Sequence, residues 1–155
     1  MHKIFGNVLN HLVLATSLII LLVSGCTNGY LPKGASITFE KLLSNPSQYN
    51  GKHISIEGFV FFGFETMVLT EELKHSGYAE GHLTTSGRLI WFEGGMPTDI
   101  YDKLYEQNMM GPSEQYGKIL VNGTFQYGGQ YGHLGAFEYQ IIPSEIQVLA
   151  WSPPK

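Results

Sequence analysis

The side chains best able to do acid–base or metal chemistry in this 155-residue chain are concentrated in one stretch, where His75 and His82 lie among Glu71, Glu72 and Glu80. Two imidazoles and an acid can make an open site for zinc or a similar ion. The spacing matches no familiar ligand pattern, however, and a solvated polar loop accounts for the same composition. His133, in Tyr131-Gly132-His133-Leu134-Gly135, is the other notable histidine. It can serve a binding edge beside Tyr127 and Tyr131, or it can steady a glycine-rich turn by bonding to loop backbone, which is the simpler reading. Ser86, Ser113 and Ser144 stand in turn contexts with no His/Asp set in view, and the adjacent pair Glu71-Glu72 need not converge on one bond. No catalytic residue and no cofactor is expected, and His75 and His82 are the candidates for metal ligation.

The single cysteine, Cys26, excludes an intramolecular disulfide, a cysteine-based zinc site and a dithiol redox centre together. What precedes it is informative. His2 and Lys3 begin a leader whose apolar run over residues 13–23 is broken only by Thr16 and Ser17. That is signal-peptide length, short for a membrane span. The run ends in Leu22-Val23-Ser24-Gly25-Cys26, small residues followed directly by cysteine. This segment resembles the lipobox of bacterial lipoproteins. The resemblance implies cleavage between Gly25 and Cys26, a thioether-linked diacylglycerol on Cys26, and fatty acylation such as palmitate on the new N-terminus. An uncleaved anchor with an incidental cysteine is the competing reading. Two or more acyl chains give stable anchoring, at about 0.8 kcal/mol per buried methylene. Residues 1–25 thus read as signal peptide and 26–36 as a lipidated tether, glycine-rich and polar around Pro32. Thr27 is not the aspartate of an inner-membrane retention signal, so in a two-membrane cell the expected address is the outer membrane, facing the periplasm.

Loss of Lys3 with the leader leaves eight basic against thirteen acidic residues, a net charge near −5. Without a basic stripe such a surface is unsuited to the phosphate backbone of nucleic acid or to anionic lipid. Nineteen glycines and many Tyr, Phe, Val and Ile favour strands and turns.

Residues 37–151 read as the folded domain and 152–155 as a tail. Thr38 can cap a short helix over 37–43, with Ile37 stapled to Leu42, and Asn45-Pro46 stops it. Ile54, Ile56, Gly58, Val60 and Phe62 alternate with polar residues as a first strand. Gly58 is expected at a bulge or bend. A second strand follows over 64–70, then an irregular polar stretch over 71–87, then a third strand over 88–92. Thr98 is expected to cap a helix over 98–109 with Ile100, Tyr101, Leu104 and Tyr105 as its apolar stripe. A fourth strand covers 118–126. The fifth covers 137–141, with Pro143 as an interruption and 146–149 finishing it or adding a short sixth.

Three strands, a helix and two strands is the order of an OB-fold, a small five-stranded Greek-key barrel with a helix between strands three and four. Asn45-Pro46, Tyr49, Gly51-Lys52, Ile54, Ile56 and Gly58-Phe59, with Val121, Gly123, Phe125, Gly132-His133 and Gly135, resemble small exported bacterial proteins with OB-like domains, a group without a common activity to carry over. A β-sandwich or α+β fold is the alternative. Phe59, Phe61, Phe62, Phe64 and Trp91 gather near the first turn and third strand, and Tyr116, Tyr127 and Tyr131 flank the last hairpin. Barrel core accounts for most of them. The candidate ligand-binding set on an OB recognition face is Phe62, Phe64, Trp91, Tyr127, Tyr131 and His133. The expected function is a non-enzymatic envelope module, held by its lipid, that binds a protein, peptide or glycan partner or plays an accessory role. The rivals are a metal- or His-dependent hydrolase using His75, His82 or His133, and a periplasmic inhibitor or immunity protein for a basic lytic enzyme.

Overall fold

Alternating apolar residues separated by turn glycines produce a mainly β architecture, and the computed structural model describes residues 36–108 and 111–154. Gly25, Cys26 and the tether up to residue 35 lie outside the described residues. The elements are α1 (Phe39–Ser44), β1 (His53–Gly63), β2 (Thr66–His75), β3 (Leu83–Phe92), α2 (Thr98–Tyr101), β4 (Tyr105–Gln107), β5 (Glu114–Tyr131) and β6 (Phe137–Val148). They form one six-stranded sheet in the order β1-β2-β3-β6-β5-β4. β5 is long enough to pair with β6 along one edge and with β1 along the other, from His53↔Thr124 to Phe62↔Gln115. The sheet therefore turns back on itself. Its weakest seam is the parallel contact of β3 with β6 at Trp91↔Gln140 and Phe92↔Ile141.

The inward residues of the ring fill the core. Ile54, Ile56, Val60, Leu69, Ile90, Phe92, Ile119, Val121, Phe125 and Ile141 are buried, and α1 covers them with Phe39, Leu42 and Leu43. Burying side chains of this size stabilises by roughly 1.5–3 kcal/mol each. The Thr38 hydroxyl caps α1 by accepting the Lys41 N–H at 3.2 Å. Gly58 marks no bulge in the pairing with β5. It is the seat of α1, where a Cβ would lie 2.8 Å from the Thr70 carbonyl oxygen and 2.9 Å from the Phe39 ring.

Four expectations are corrected. Among the described residues six strands form, the extra one being three-residue β4. The stretch over 71–87 is mostly a hairpin: β2 runs to His75 and β3 starts at Leu83. A register shift between Thr70 and Glu72 breaks the alternation, while the buried Thr70 hydroxyl donates to the Ser86 carbonyl at 2.6 Å. The helix expected over 98–109 stops at Tyr101, because tertiary pairing wins: Tyr105, Glu106 and Gln107 pair with Tyr116, Gln115 and Glu114 of β5. Thr98 is not its cap; that position belongs to Pro97. Finally, Pro143 does not interrupt β6. The strand passes through it with a register shift opposite Gly123, a bulge that spares the missing N–H of proline.

Candidate functional site

Three segments far apart in sequence meet beside the β1–β2 turn. Phe62 lies one residue before the end of β1, and after Gly63 and Phe64 the chain turns at Glu65, which adopts a left-handed backbone with φ +55°. Trp91 comes from β3, paired with Val68 of β2. The β5–β6 loop supplies Gly132 and His133, followed by Leu134 at φ +57°. These three segments line a shallow, open cleft of about 490 Å³, with Phe62, Met67 and Trp91 as apolar lining and Glu65, Gly95 and His133 around them.

Packing fixes the indole on several sides. Its Nε1–H donates to Glu93 Oε2 at 2.7 Å, and its ring centroid lies 5.2 Å from that of Phe137. Gly132 rests against the ring so closely that a Cβ there would be 2.5 Å from it. Across the cleft, His133 Nε2 and Glu65 Oε2 approach to 3.2 Å, both half-exposed, joining the β1–β2 turn to the β5–β6 loop. Left-handed backbone at non-glycine residues costs on the order of 1–2 kcal/mol. Both such residues of the described chain, Glu65 and Leu134, stand at this junction, and strain of this kind gathers at binding and switch sites.

Of the six aromatic and histidine residues picked out by sequence for binding, Phe62, Trp91 and His133 are thus brought together. The other three go elsewhere. Phe64 is 70% exposed and lines a different cavity. Tyr127 stacks on Tyr139 at 5.6 Å, and its N–H donates to the Asn50 side chain at 3.0 Å. The Tyr131 ring folds back over Gly129 of its own strand. Burial, then the neighbouring Glu138 charge, pushes the Tyr139 hydroxyl above its ordinary value of 10.0.

His75 and His82 do not meet in a ligand set. His75 is exposed at the end of β2, and Glu71 pairs with Arg88 at 3.6 Å. Both His82 ring nitrogens are engaged, Nδ1 with Ser76 Oγ at 2.7 Å and Nε2 with Glu114 Oε2 at 3.1 Å. Among the described residues no group of three or more His, Cys, Asp or Glu side chains is placed to hold a metal ion.

The proton positions around His82 follow from the neighbouring amide. Gln107 accepts the Leu83 N–H at 3.0 Å and donates to the Leu83 carbonyl and to Glu114 Oε2, both at 2.7 Å, which uses both amide hydrogens. Ionised Glu114 only accepts, so Nε2–H of His82 is the donor between them. In the neutral ring Nδ1 then accepts from the Ser76 hydroxyl. Serine, histidine and glutamate in such a chain resemble a nucleophile relay. Here Ser76 Oγ also accepts the Tyr78 N–H at 3.1 Å, and Ser76 is not among the residues lining the adjoining cavity. The chain therefore closes the β2–β3 hairpin and orients His82.

Comparison with protein-family models, with curated proteins and with solved structures returned no match. What the cleft does has to follow from its own chemistry. Glu65, Met67, Ser76, Gln107 and Glu114 escaped the reading of the sequence. Glu65, Gln107 and Glu114 gain their roles only when segments distant in the chain come together, and none of the five carries a local motif that would reveal it.

Proposed function

We propose that this protein is a lipid-anchored envelope module whose OB-like barrel binds a glycan in the Phe62–Trp91–His133 cleft, and that it does so without chemistry on the ligand. The observation that carries the reading is the convergence of a half-buried indole, a phenyl ring, a carboxylate and an imidazole on one cleft. Aromatic rings offer flat apolar area to the C–H face of a sugar ring. Glu65 and His133 at the rim can accept and donate hydrogen bonds to its hydroxyls. The acidic surface accords with a neutral ligand better than with nucleic acid.

Supporting the OB-like reading, omission of β4 leaves a five-strand ring in which the helix α2 follows the third strand. The cleft then lies at the loops after the first and fourth strands, the usual recognition edge of that barrel. Supporting the anchor is the lipobox-like Leu22-to-Cys26 segment. No helix among the described residues is long and apolar enough to cross a membrane.

Titration of the full chain in detergent with soluble cell-wall glycan fragments, followed by tryptophan fluorescence and, for the Trp91 variant, by calorimetry, tests the ligand. Saturable binding that Trp91→Ala weakens at least tenfold is expected. Binding left intact by that substitution would sink the assignment of the cleft, and capture of short peptides in place of sugars would sink the glycan. Mass analysis of the N-terminal fragment tests the anchor: a diacylglyceryl-modified Cys26 is expected, and a bare thiol overturns it.

A further inference from the structure

A second cavity, of about 600 Å³, opens where the β2–β3 hairpin loop faces the start of β5, and the residues that line it carry a different chemistry. Two aromatic side chains stand out from the surface there, Phe64 at 70% exposure and Tyr78 at 88%. Ala79, Gly111 and Pro112 complete the apolar wall, and His82 and Glu114 supply the polar part. Rings of this size left in water are unusual on a surface otherwise rich in polar residues, and grouped around a cavity they mark a place where something is received.

The nature of that something follows from Glu114. Its Oε2 accepts from both His82 and Gln107 and so has no acceptor capacity left. Its Oε1 makes no hydrogen bond among the described residues, and a Cβ built at Gly63 would lie 3.7 Å from it. His82 and Gln107 both bond to the Oε2 side of this carboxylate and leave Oε1 to other donors. No lysine or arginine lines the cavity among the described residues. A carboxylate lining the same cavity as two exposed aromatic rings attracts an organic cation through both the carboxylate and the ring faces. Only one carboxylate oxygen is free, so the paired grip by which a guanidinium fork is held is missing, and a compact ammonium with rotatable donors is the better match.

We infer that this cavity is a binding site for a primary alkylammonium group, of the kind carried by a lysine side chain or a free amine. It is separate from the glycan cleft, and it stands whether or not that reading holds.

The test is calorimetry on the full chain in detergent with two probes, n-butylamine and Nα-acetyl-lysine methylamide, and with Nε-acetylated lysine methylamide as the neutral control. Binding of an ammonium probe is expected, with the neutral control at least tenfold weaker. The lysine derivative binding more tightly than butylamine assigns a peptide side chain as the source, and equal binding assigns a free amine. Glu114→Gln should cost at least tenfold. Because Glu114 also supports the hairpin, Phe64→Ala, at a side chain 70% exposed and outside the core clusters, provides a second arm, and it should weaken binding several-fold while the thermal melt stays unchanged. Trp91→Ala should leave the ammonium isotherm unchanged while weakening glycan binding at least tenfold, so failure of one site is distinguishable from failure of the other. Equal affinity for the charged and acetylated probes, indifference to Phe64→Ala, or no heat with either ammonium at millimolar concentration overturns the proposal.

Discussion

At the β1–β2 turn Phe62 lines one cavity and Phe64, two residues on, lines another. The two places are organised in different ways. The Trp91 cleft is shaped by packing: Gly132 and Phe137 press on the indole, and two left-handed residues stand beside it. The Glu114 cavity is shaped by hydrogen bonds: Ser76, His82, Gln107 and Glu114 form a chain, while the aromatic side chains that line the cavity stay exposed. A packed site should respond to changes in volume. A site held by hydrogen bonds should respond to loss of a partner and tolerate added volume. That contrast can be tested directly.

The largest expected effect is steric. Gly132→Ala places a Cβ into the Trp91 and Phe137 rings at a backbone angle of φ +69°. Left-handed strain and overpacking together should cost about 3–4 kcal/mol. Gly81→Ala in the hairpin loop has a similar φ of +74° but meets nothing within 4 Å. Strain alone then costs roughly 1–2 kcal/mol. Urea unfolding of both variants measures the difference, and equal losses would show that the Gly132 loop is not packed as described.

Next comes the partner side of the contrast. Gln107 is 9% exposed and satisfies both backbone groups of Leu83 as well as Glu114. Gln107→Leu preserves the bulk and removes every bond. Leaving buried polar groups unpaired should destabilise by roughly 2–3 kcal/mol. His82→Leu would sharpen the point, since Glu114 keeps its bond to Gln107 in that variant and the loss should be smaller.

These two regions also show what could be read from the sequence. The alternation of Ile54, Ile56 and Val60, and of Ile119, Val121 and Phe125, announces strands whose inner face is core, and both runs are buried as expected. The Thr38 cap is equally local and equally legible. The β2–β3 hairpin was hidden because Glu71, Glu72, Lys74 and His75 are polar and a register shift at Thr70/Glu72 breaks the period of two. β4 was hidden because Tyr105 lies at helical spacing from Tyr101, and only pairing with β5 decides otherwise. In the cleft, aromatic identity pointed to Phe62 and Trp91, but Tyr127 has the same identity and stacks on Tyr139. Nothing local to Glu65 or Glu114 says that His133 or His82 will face it. Partnerships across the sheet depend on register, and register is a property of the whole fold.

A smaller effect tests whether backbone strain belongs to function. Asn tolerates the left-handed region better than Glu. Glu65→Asn should therefore stabilise the fold by about 0.5 kcal/mol even after loss of the exposed pair with His133, which contributes little. The same change removes the rim carboxylate and should weaken glycan binding several-fold. Thermal melting and the fluorescence titration together check the trade. A variant that binds as well as the parent would show that the strained turn serves geometry alone.

The smallest expected effect lies in the smaller of the two core clusters, where Tyr116 packs with Phe61, Val68 and Leu83. Burial, then the neighbouring Tyr105, raises the Tyr116 hydroxyl above its ordinary value of 10.0. The folded protein thus holds this proton more tightly than the unfolded chain does. Its contribution to stability is complete below the unfolded value, declines once the pH passes it, and is lost as the pH rises through the higher folded value. Melting temperature should be insensitive to this group up to about pH 9 and fall more steeply above the ordinary tyrosine range. Tyr116→Phe should flatten that alkaline fall while leaving the neutral-pH melt nearly unchanged, because the hydroxyl makes no hydrogen bond among the described residues. Tyr139→Phe, whose ring lies on the β5–β6 side, provides the comparison. Its hydroxyl is also pushed up by burial and the Glu138 charge, so it too should blunt the fall. An alkaline fall that neither substitution changes would place the titration elsewhere and remove the tyrosines from this contrast.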